Sequence, residues 1–237
     1  MNIYLDGIKK DFQGKKVLKN VNMKIKSGKS TIILGKSGCG KSVLIKIIYK
    51  LLTQDYGNIT YNQSKDIDIN NFAMLFQYGA LFDSLSVWEN IAFQRINEEK
   101  KSIKKLKDEV TEIMESLGLD IENFYKYPSE LSGGMKKRVA LGRALFKKPT
   151  VIFLDEPTTG LDPVNSNLIN ELIVKTIKEK NITAITITHD IKSALKTGDI
   201  FYYLEDGKIE ITDDCKKLFS TNNLKLNYFL KGEEESY

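Results

Sequence analysis

A glycine-rich stretch between a predicted strand and a predicted helix has the residue types of a phosphate-binding loop. It reads Gly35-Lys36-Ser37-Gly38-Cys39-Gly40-Lys41-Ser42, after the apolar run 31–34 and before the apolar periodic segment 43–48. Glycines let successive backbone N–H groups curl around an anion, and a helix N-terminus adds unsatisfied N–H groups and a positive dipole end. Lys41 would reach the terminal phosphates, and the Ser42 hydroxyl would ligate Mg²⁺. The intact pattern argues against an ordinary Gly/Ser turn and predicts binding of a nucleoside triphosphate.

Asp155 and Glu156 form an acidic pair at the end of a second apolar run, 151–154. An acid at this place can hold Mg²⁺ through water, while its neighbour orients or deprotonates the water that attacks the phosphate. A helix N-cap or a turn carboxylate is the alternative for a single acid. An acidic pair downstream of a phosphate-binding loop favours catalysis, so we predict that Asp155 serves the metal and Glu156 the water.

His189, the only histidine of the chain, follows the β-branched segment 182–188. A lone histidine is more often a packed or surface residue than a catalytic one. At the end of a strand it would lie within reach of the same phosphate, where it could donate a hydrogen bond to a γ-phosphate oxygen or help to hold the water. We therefore predict a catalytic role for His189.

Three predicted strands run directly into polar residues, and this indicates where a site can form. Leu34 leads into the glycine-rich loop, Leu154 into Asp155, and Thr188 into His189. The chain alternates predicted strands and helices, which favours an α/β fold with a mostly parallel sheet covered on both faces. In open α/β sheets ligands bind outside the carboxyl ends of the strands, so we predict one pocket built from these three ends.

Hydrophobic periodicity predicts the elements that position these residues. Strands are predicted within 1–34 (17–18 and the alternating 21–25 among them) and at 59–61, 72–76, 151–154, 182–188, 200–204 and 208–211. Helices are predicted from the glycine-rich loop to about residue 52 and at 87–93, 103–117, 135–146 and 168–180. Residues 62–71 form a predicted polar loop, and 215–237 a helix-bearing tail with an acidic end at Glu233 to Glu235.

The composition is ordinary for a soluble protein with a real core. Of its 237 residues 41% are apolar and 28% are charged, and the net charge is +5. The lysines between Lys100 and Lys107 are followed by acidic residues, which favours a solvated helix face over nucleic-acid binding. Cys39 and Cys215 lack the spacing of a metal site, and a disulfide at Cys39 would hinder the nucleotide, so we expect a reducing compartment. Residues 1–10 have no apolar core and no apolar run approaches membrane-spanning length, so we expect no signal peptide, and we expect action at a membrane to need a partner.

A second glycine-bearing helix start occurs at Leu131-Ser132-Gly133-Gly134-Met135, where Ser132 is a predicted N-cap. Taken alone, this stretch predicts only an N-capped surface helix. One explanation for two phosphate-suited helix termini in a single chain is that the second serves the nucleotide of another copy.

The order of these motifs resembles that of the nucleotide-binding subunits of ABC transporters. The shared positions span nearly the whole chain: 35–42, Gln77, 131–134, 151–156, Gly160-Leu161-Asp162 and His189. The resemblance implies an α/β P-loop NTPase core with a mostly parallel sheet, an N-terminal antiparallel β subdomain and an inserted helical subdomain. It also implies a head-to-tail homodimer that sandwiches two ATP molecules, each between the P-loop of one subunit and Ser132, Gly133 and Gly134 of the other.

The same resemblance implies roles for three further residues. Gln77 would sense Mg²⁺ and the transmembrane partner, and Asp162 would make a contact across the dimer. Phe12 matches the aromatic position that stacks on adenine, with a core residue of the first sheet as its alternative. The implied cofactors are ATP and Mg²⁺, with Gln77 joining Ser42 and Asp155 at the metal.

Met135 stands where this family usually has Gln, and the same change is typical of the ATPase subunits of Mla-type (Mce-associated) phospholipid transporters. The segments 74–90, with Gly79-Ala80-Leu81-Phe82 within it, and 228–232 are also similar to theirs. This resemblance implies that the chain drives lipid transport between membranes through integral-membrane permease subunits. A substrate-binding lipid-carrier protein would be a further partner, reached through the permease.

Such a subunit would be cytoplasmic and attached peripherally to the inner membrane through the permease. Residues 78–90 would then line a groove that receives a helix of the membrane subunit, and aromatic side chains are common anchors of such interfaces. The alternative for its apolar members is the core of the helical subdomain. These members are Tyr78, Leu81, Phe82 and Trp88.

We expect a single nucleotide-binding domain over 1–237, with an ATP-binding core and β subdomain at 1–77 and 149–214, a helical subdomain at 78–148 and a tail at 215–237. The alternative functions are the ATPase of another ABC system, such as a small-solute importer or a lipoprotein-release system, and a non-transport ABC-type regulatory ATPase. DNA-associated ABC-type ATPases carry long coiled-coil insertions, and a GTPase needs a guanine-reading element. The sequence contains neither sustained heptads nor that element.

Overall fold

The computed structural model of the chain describes residues 1–62, 64, 67–96 and 102–232. The strands are β1 (Ile3–Phe12), β2 (Lys15–Ile25), β3 (Ser30–Leu34), β4 (Tyr56–Tyr61), β5 (Phe72–Leu75), β6 (Val151–Asp155), β7 (Thr183–Ile187), β8 (Ile200–Glu205) and β9 (Lys208–Asp214). The α-helices are α1 (Lys41–Ile48), α2 (Val87–Ile96), α3 (Ile103–Ser116), α4 (Gly133–Phe146), α5 (Pro163–Lys180), α6 (Ile191–Thr197) and α7 (Leu224–Lys231). Short 3₁₀ helices lie at Ile69–Asn71, Ile121–Asn123, Pro128–Glu130 and Cys215–Ser220.

The larger of two sheets carries the strand ends around which polar residues gather. Its order is β5-β6-β7-β3-β8-β9, parallel throughout except for β9, which pairs antiparallel with β8. β3 and β7 are buried along their whole length, as expected of parallel strands with helices on both faces. Because β6, β7 and β3 are neighbours, their carboxyl ends lie side by side. The predicted α/β fold with a mostly parallel sheet is confirmed.

Alternate residues of β6 enter two hydrophobic cores on opposite faces of this sheet. Ile152 and Leu154 lie in a core with residues of α2, α3, α4 and α5, whereas Val151 and Phe153 lie in a core that includes α1. In the second core the rings of Phe153 and Phe72 pack edge to face with centroids 5.3 Å apart. The sheet is therefore covered on both faces, as predicted.

A separate antiparallel sheet, of order β2-β1-β4, is built from the N-terminal part of the chain. Ile3, Leu5 and Ile8 of β1 are buried in the same core as Leu44 and Ile48 of α1. This packing attaches the small sheet to the helix that follows the glycine-rich loop. The expected N-terminal antiparallel sheet is thus confirmed.

A group of helices, α2, α3 and α4, packs beside the β5 edge of the larger sheet. Leu106, Val110 and Met114 of α3, each four residues apart, are buried in a core with Ile91 of α2 and Val139 of α4. The amphipathic helix predicted at 103–117 is confirmed.

Two helix starts that follow an aspartate were not predicted, and α1 ends at Ile48 instead of about residue 52, whereas α2 extends past residue 93 to Ile96. α5 begins at Pro163 instead of Leu168, because the Asp162 carboxylate accepts hydrogen bonds of 2.9 and 3.0 Å from first-turn N–H groups. α6 was not predicted. It begins after Asp190, whose carboxylate caps the first turn with bonds of 2.9 and 3.3 Å. An N-cap search around these aspartates would have identified both helix starts.

The tail packs onto its own chain and confirms the predicted helix-bearing segment. Leu226 of α7 is buried in a third core with Leu34 of β3 and Phe201 of β8. The ring of Phe229 lies 5.5 Å from the ring of Tyr203. α7 therefore covers the end of the sheet near the glycine-rich loop.

Parts of three predictions lie outside the described residues. These parts are the acidic end Glu233 to Glu235, the first two lysines of the run, Lys100 and Lys101, and positions 63, 65 and 66 of the polar loop. In the described ranges, no helix combines the length and the apolar character needed to cross a membrane.

Candidate nucleotide-binding and catalytic site

The glycine-rich loop wraps around the side chain of its own lysine. Lys41 is buried, and its Nζ donates hydrogen bonds to the carbonyl oxygens of Gly35, at 2.7 Å, and Lys36, at 2.8 Å. α1 begins at Lys41, and its N-cap, Gly40, has no side chain that could accept hydrogen bonds from the first-turn N–H groups. A positive side chain and open N–H groups around one loop form an anion-binding site.

Two glycines of this loop are required by space and by backbone conformation. A Cβ at Gly35 would lie 2.2 Å from the carbonyl oxygen of Leu204. Gly40 has a φ of 108°, in the left-handed region, and a Cβ there would come within 3.0 Å of Leu18. The path of the loop therefore needs glycine at both positions.

A cleft of about 690 Å³ opens in front of the loop. Its walls come from both sheets, α1, the turns after β5, β6 and β7, and the tail. The lining residues are Phe12, Val17, Gly35, Lys36, Ser37, Gly38, Gly40, Lys41, Ser42, Val43, Gln77, Asp155, Glu156, Ile187, His189 and Phe229. The structure therefore brings the predicted loop, acidic pair, glutamine and histidine to one pocket at the carboxyl ends of neighbouring strands, as the sequence predicted.

Asp155 and Glu156 differ in their surroundings. Asp155 is half-buried at the end of β6, where burial and then the Glu156 carboxylate raise its pKa, while Lys41 and Lys137 partly oppose the shift. A cation bound at Asp155 would offset the cost of burying its charge. Glu156 has a φ of 49°, a left-handed backbone that is uncommon for a residue with a side chain.

The Glu156 carboxylate is held on both of its oxygens. Oε1 lies 2.8 Å from Nδ1 of His189. Oε2 accepts hydrogen bonds from Oγ1 of Thr159, at 3.1 Å, and of Thr188, at 3.4 Å. The side chain of His189 remains 63% exposed and lines the cleft. A carboxylate fixed in this way can orient a water molecule, and the imidazole can reach a ligand in the cleft.

Phe12 and Cys39 lie in different surroundings, since only Phe12 lines the cleft. Phe12 is 43% exposed at the end of β1, with Nζ of Lys10 5.3 Å from its ring centre, so the alternative of a core residue is wrong. Cys39 does not line the cleft, and its Sγ lies 4.0 Å from Nζ of Lys41. Burial raises the pKa of the Cys39 thiol, with partial opposition from Lys41.

Besides Cys39, four predicted site residues do not line this cleft: Ser132, Gly133, Gly134 and Asp162. The hydroxyl of Ser132 accepts a hydrogen bond of 3.3 Å from the N–H of Met135, so Ser132 is the predicted N-cap of α4. Asp162 caps α5 as described above. A Cβ at Gly134 would lie 2.7 Å from Oδ1 of Asn165, which shows how closely the tips of α4 and α5 meet. These residues form a surface separate from the cleft of their own chain.

Lys137 was not anticipated at the site. It lies on α4, is 6% exposed, and donates hydrogen bonds from Nζ to the carbonyl oxygens of Gln77 and, at 3.3 Å, Glu156. The helical spacing of buried residues on α4 could have identified it. Gly134 and Leu141, three residues before and four after, are both buried.

Glu205 and Phe229 were also missed. Glu205 ends β8 and is buried, and its Oε1 lies 3.8 Å from Nζ of Lys36 in the glycine-rich loop. Its position directly after an apolar strand is the same signal that identified Asp155. Phe229 reaches the cleft from α7, and no spacing in the sequence indicates that contact.

The donors around the cleft fit a triphosphate with a hard divalent cation. Ser42, Gln77 and Asp155 offer oxygen atoms, the ligands that Mg²⁺ prefers. Within the described part of the chain no group of three His, Cys, Asp or Glu side chains could hold a metal by itself. A cation here would therefore share its coordination with phosphate oxygens and water.

Comparison with known proteins identifies the family to which the chain belongs. The family model for the ABC transporter domain matches residues 18–159. The intermembrane phospholipid transport system ATP-binding protein MlaF of Haemophilus influenzae is 34% identical, over 91% of this chain and 85% of that protein. The sulfate/thiosulfate import ATP-binding protein CysA of Pseudomonas putida is also 34% identical, over 89% of this chain and 66% of that protein. These two relatives carry different substrates in their names.

Solved structures agree with the fold. The ATP-binding cassette MJ0796, a dimer in a post-hydrolysis state bound to ADP and Pi, has a TM-score of 0.81 and 29% identity, covering 90% of this chain and 98% of that one. The structure of cbiO1 from Clostridium perfringens, part of the ABC transporter complex cbiONQ, has a TM-score of 0.84 and 29% identity, covering 97% of this chain and 94% of that one. With a family model that matches most of the chain, these similarities show that the chain belongs to the ABC transporter family and is an ATP-binding subunit of it that hydrolyses ATP.

Proposed function

We propose that this chain is the motor subunit of a lipid transporter, in which ATP closes a homodimer, hydrolysis reopens it and permease subunits change orientation. The observation that carries the proposal is the adjacency of two cavities. Phe76 lines an apolar surface groove, and the next residue, Gln77, lines the nucleotide cleft. A shift of this segment at one cavity must move a residue at the other, so the two sites can bias one conformational equilibrium.

In the cleft, Lys41 and the backbone N–H groups of 36–40 bind the phosphates, and Ser42, Gln77 and Asp155 hold Mg²⁺. Bound Mg²⁺ supplies charge neutralisation at the phosphate oxygens. Phe12, exposed at the mouth of the cleft, stacks on the adenine ring. Most of the rate acceleration comes from positioning the reacting groups and from stabilising charge in the transition state, because the protein contributes little covalent chemistry to phosphoryl transfer.

Glu156 orients or deprotonates the attacking water, and His189 donates a hydrogen bond to a γ-phosphate oxygen. The hydroxyls of Thr159 and Thr188 hold one carboxylate oxygen of Glu156, and the imidazole contacts the other. This arrangement leaves the carboxylate oriented before a substrate arrives. An oriented carboxylate and an exposed imidazole support a hydrolytic site.

The apolar groove is the docking site for a helix of the permease. It has a volume of about 440 Å³ and is lined by Tyr49, Leu51, Ala73, Met74, Phe76, Ala80, Phe82, Phe93, Gln94, Arg143 and Ala144. Phe76, Phe82 and Phe93 are exposed large apolar residues, and the tilted rings of Phe82 and Phe93 pack with centroids 4.2 Å apart. Exposed aromatic side chains grouped around a groove are typical of an interface. By contrast, Leu81 and Trp88 pack on the helical core.

The dimer places Ser132, Gly133, Gly134 and Asp162 against the nucleotide and the cleft of the second subunit. Ser132, Gly133 and Asp162 are exposed, and none of the four lines the cleft of its own chain. The N-terminus of α4 can supply a second phosphate-binding helix terminus. The structure of MJ0796 bound to ADP and Pi is described as dimeric, which supports this assembly.

Within each subunit, the unit 78–148 moves against the ATP-binding core 1–77 and 149–214, while the tail 215–237 stays with the core. α2, α3 and α4 share contacts with one another and meet the sheet at β5, where the groove lies. A groove between two units is where a partner helix can favour one relative position over another.

A phospholipid is the substrate we propose. The support is the similarity to MlaF over 85% of that protein, together with Met135 and the segment 74–90. The chain would be cytoplasmic, held at the inner membrane by the permease, with a lipid-carrier protein reached through it. The alternative is a small-solute importer, supported by the equal identity to CysA, whose name includes sulfate/thiosulfate import.

The test is purification of the tagged chain from membranes in a mild native detergent, followed by mass spectrometry of proteins and lipids. We expect a multi-pass membrane protein and a bound phospholipid to come down with the chain, and no nucleic acid. Recovery of a permease with a periplasmic solute-binding protein and no lipid would favour the importer. Recovery of nucleic acid without any membrane protein would contradict both.

A further inference from the structure

Two basic side chains of α4, those of Lys137 and Arg143, hold the backbone of the segment between the cleft and the groove. Lys137 donates to the carbonyl oxygen of Gln77, and Arg143 donates to those of Gly79, at 2.7 Å, and Ala80, at 2.8 Å. Gly79 and Ala80 have φ values of 74° and 47°. Three carbonyl groups of this turn therefore point at cations of one helix, which fixes a backbone that is locally strained at Ala80.

Lys137 also bonds a carbonyl oxygen outside this turn, which Arg143 does not. Its Nζ also donates, at 3.3 Å, to the carbonyl oxygen of Glu156. The same oxygen accepts the N–H of Thr159 at 3.2 Å. One buried ammonium group thus joins α4 to the Gln77 turn and to the backbone of the residue whose side chain faces His189.

Placing a lysine here carries a cost. Burial lowers the pKa of Lys137, and the carboxylates of Asp155 and Glu156 partly offset this. A buried charge is tolerated when its donors are satisfied and opposite charges are near. An apolar side chain of similar length would fill the same space without that cost, so packing alone does not explain the lysine.

We propose that Lys137 is a positioning residue that ties α4 to the backbones of Gln77 and Glu156, so that the placement of the α4 tip at Ser132 controls whether Glu156 is set for hydrolysis. This proposal rests on the proposed function. Glu156 sits in a left-handed conformation, φ 49°, and its backbone is hydrogen-bonded on both sides: its N–H donates to the carbonyl oxygen of Ile187, at 3.0 Å, and its carbonyl oxygen accepts from Lys137 and Thr159. When α4 moves with the helical unit, Lys137 carries the movement to both residues.

The test uses Lys137→Met, which keeps the length of the side chain and removes its donors, and Lys137→Arg, which restores donors. Lys175→Met, at an exposed position of α5, is the matched control. Three quantities are measured: the ATP Kd, the kcat for hydrolysis with Mg²⁺, and hydrogen exchange of the Gly79 and Thr159 amides without nucleotide. These amides donate to Phe76 and Glu156 and report the two tied backbones directly.

For Lys137→Met we expect kcat to fall and both amides to exchange faster, each by about tenfold, as for loss of a hydrogen bond to a charged group. The ATP Kd should stay within about twofold of the parent, since Lys137 does not line the cleft. Lys137→Arg should recover most of kcat, and Lys175→Met should match the parent.

Parent-like kcat and exchange in Lys137→Met would overturn the proposal. So would loss of ATP binding together with faster exchange along all of α4, because that pattern means general destabilisation. If the parent itself does not hydrolyse ATP, the proposed function fails. The exchange comparison, made without nucleotide, still decides whether Lys137 ties the two backbones.

Discussion

Oε1 of Glu156 lies 2.8 Å from Nδ1 of His189, with the carboxylate buried and the imidazole 63% exposed. The two residues follow β6 and β7, which are neighbours in the sheet. Since the strands are parallel, the pair lies at one edge, on the same side as the glycine-rich loop. A buried carboxylate is thereby joined to a group that a ligand in the cleft can touch.

The first prediction is that Glu156→Gln abolishes most hydrolysis and keeps ATP binding. The amide has the shape of the carboxylate and can still accept from Thr159 and Thr188, but it cannot take a proton from water. We expect the rate to fall about 100-fold or more, the usual size of a general-base contribution. An ATP-bound dimer should accumulate, measured by phosphate release and by light scattering.

Glu171→Gln is the control for that substitution. Glu171 lies on α5, outside the cleft, and pairs with Lys196 at the surface, where ion pairs contribute little. This variant should behave as the parent does in both assays. Hydrolysis at the parent rate by Glu156→Gln would show that the assignment of Glu156 is wrong.

The second prediction concerns His189→Ala. Removing the imidazole deletes one contact of the Glu156 carboxylate and the proposed donor to the phosphate, but it leaves the loop around Lys41 intact. We expect kcat to fall about 10- to 100-fold with the ATP Kd changed less than about threefold, as for loss of a transition-state donor. A rise in Kd at constant kcat, measured by titration and steady-state kinetics, would contradict this role.

Much of this site could be predicted because it uses local rules. The glycine-rich loop, Asp155 and His189 each follow an apolar strand directly, and parallel strands bring such ends together. The predicted α/β fold follows from the same alternation of strands and helices. Aspartate N-caps were overlooked at Asp162 and Asp190, although they follow an equally local rule.

Contacts between distant segments could not be predicted in this way. Lys137 is 60 residues from Gln77 in the chain, and the cleft wall at Phe229 comes from the tail. The spacing of buried residues along the helix places Lys137 on the buried face, but it does not identify the carbonyl groups that accept its hydrogen bonds. Such partners depend on how helices dock on the sheet, and periodicity within one segment carries no information on that.

The third prediction tests the shared site of the dimer. Lys41→Ala removes the phosphate-binding lysine, and Ser132→Arg places a large side chain at the exposed α4 tip, so each variant alone should be inactive. In a mixture, half of the dimers combine both chains and hold one intact site. Phosphate release should therefore recover to about a quarter of the parent rate if sites act independently.

Two outcomes of the mixing experiment contradict the shared site. Full activity of Ser132→Arg alone would mean that Ser132 is remote from every nucleotide. No recovery in a mixture that light scattering shows to contain dimers would mean that one intact site is insufficient. Ser220→Arg, at a position away from the cleft and the α4 tip, is the control for adding an arginine.

The fourth prediction is that hydrolysis requires Mg²⁺ and that Asp155 sets the concentration needed. Chelation by EDTA should stop phosphate release, and added Mg²⁺ should restore it. Asp155→Asn removes a negative charge at the metal, so the Mg²⁺ concentration for half-maximal rate should rise about tenfold or more. Asp206→Asn, in an exposed turn, should keep the parent requirement. An unchanged Mg²⁺ requirement in Asp155→Asn would remove Asp155 from the metal site.

The fifth prediction separates the groove from the cleft. The Phe82 ring packs against the ring of Phe93 and lies under Arg143. Phe82→Glu therefore places a charge among apolar groove residues, where a docked helix would have to bury it at a cost of about 2–5 kcal/mol. We expect the variant to bind ATP like the parent and to lose the membrane protein in the native-detergent purification. Phe219→Glu, at an exposed aromatic residue of the tail, should retain it. If both variants keep the membrane protein, the permease docks elsewhere, and the adjacency of Phe76 and Gln77 transmits nothing between the two cavities.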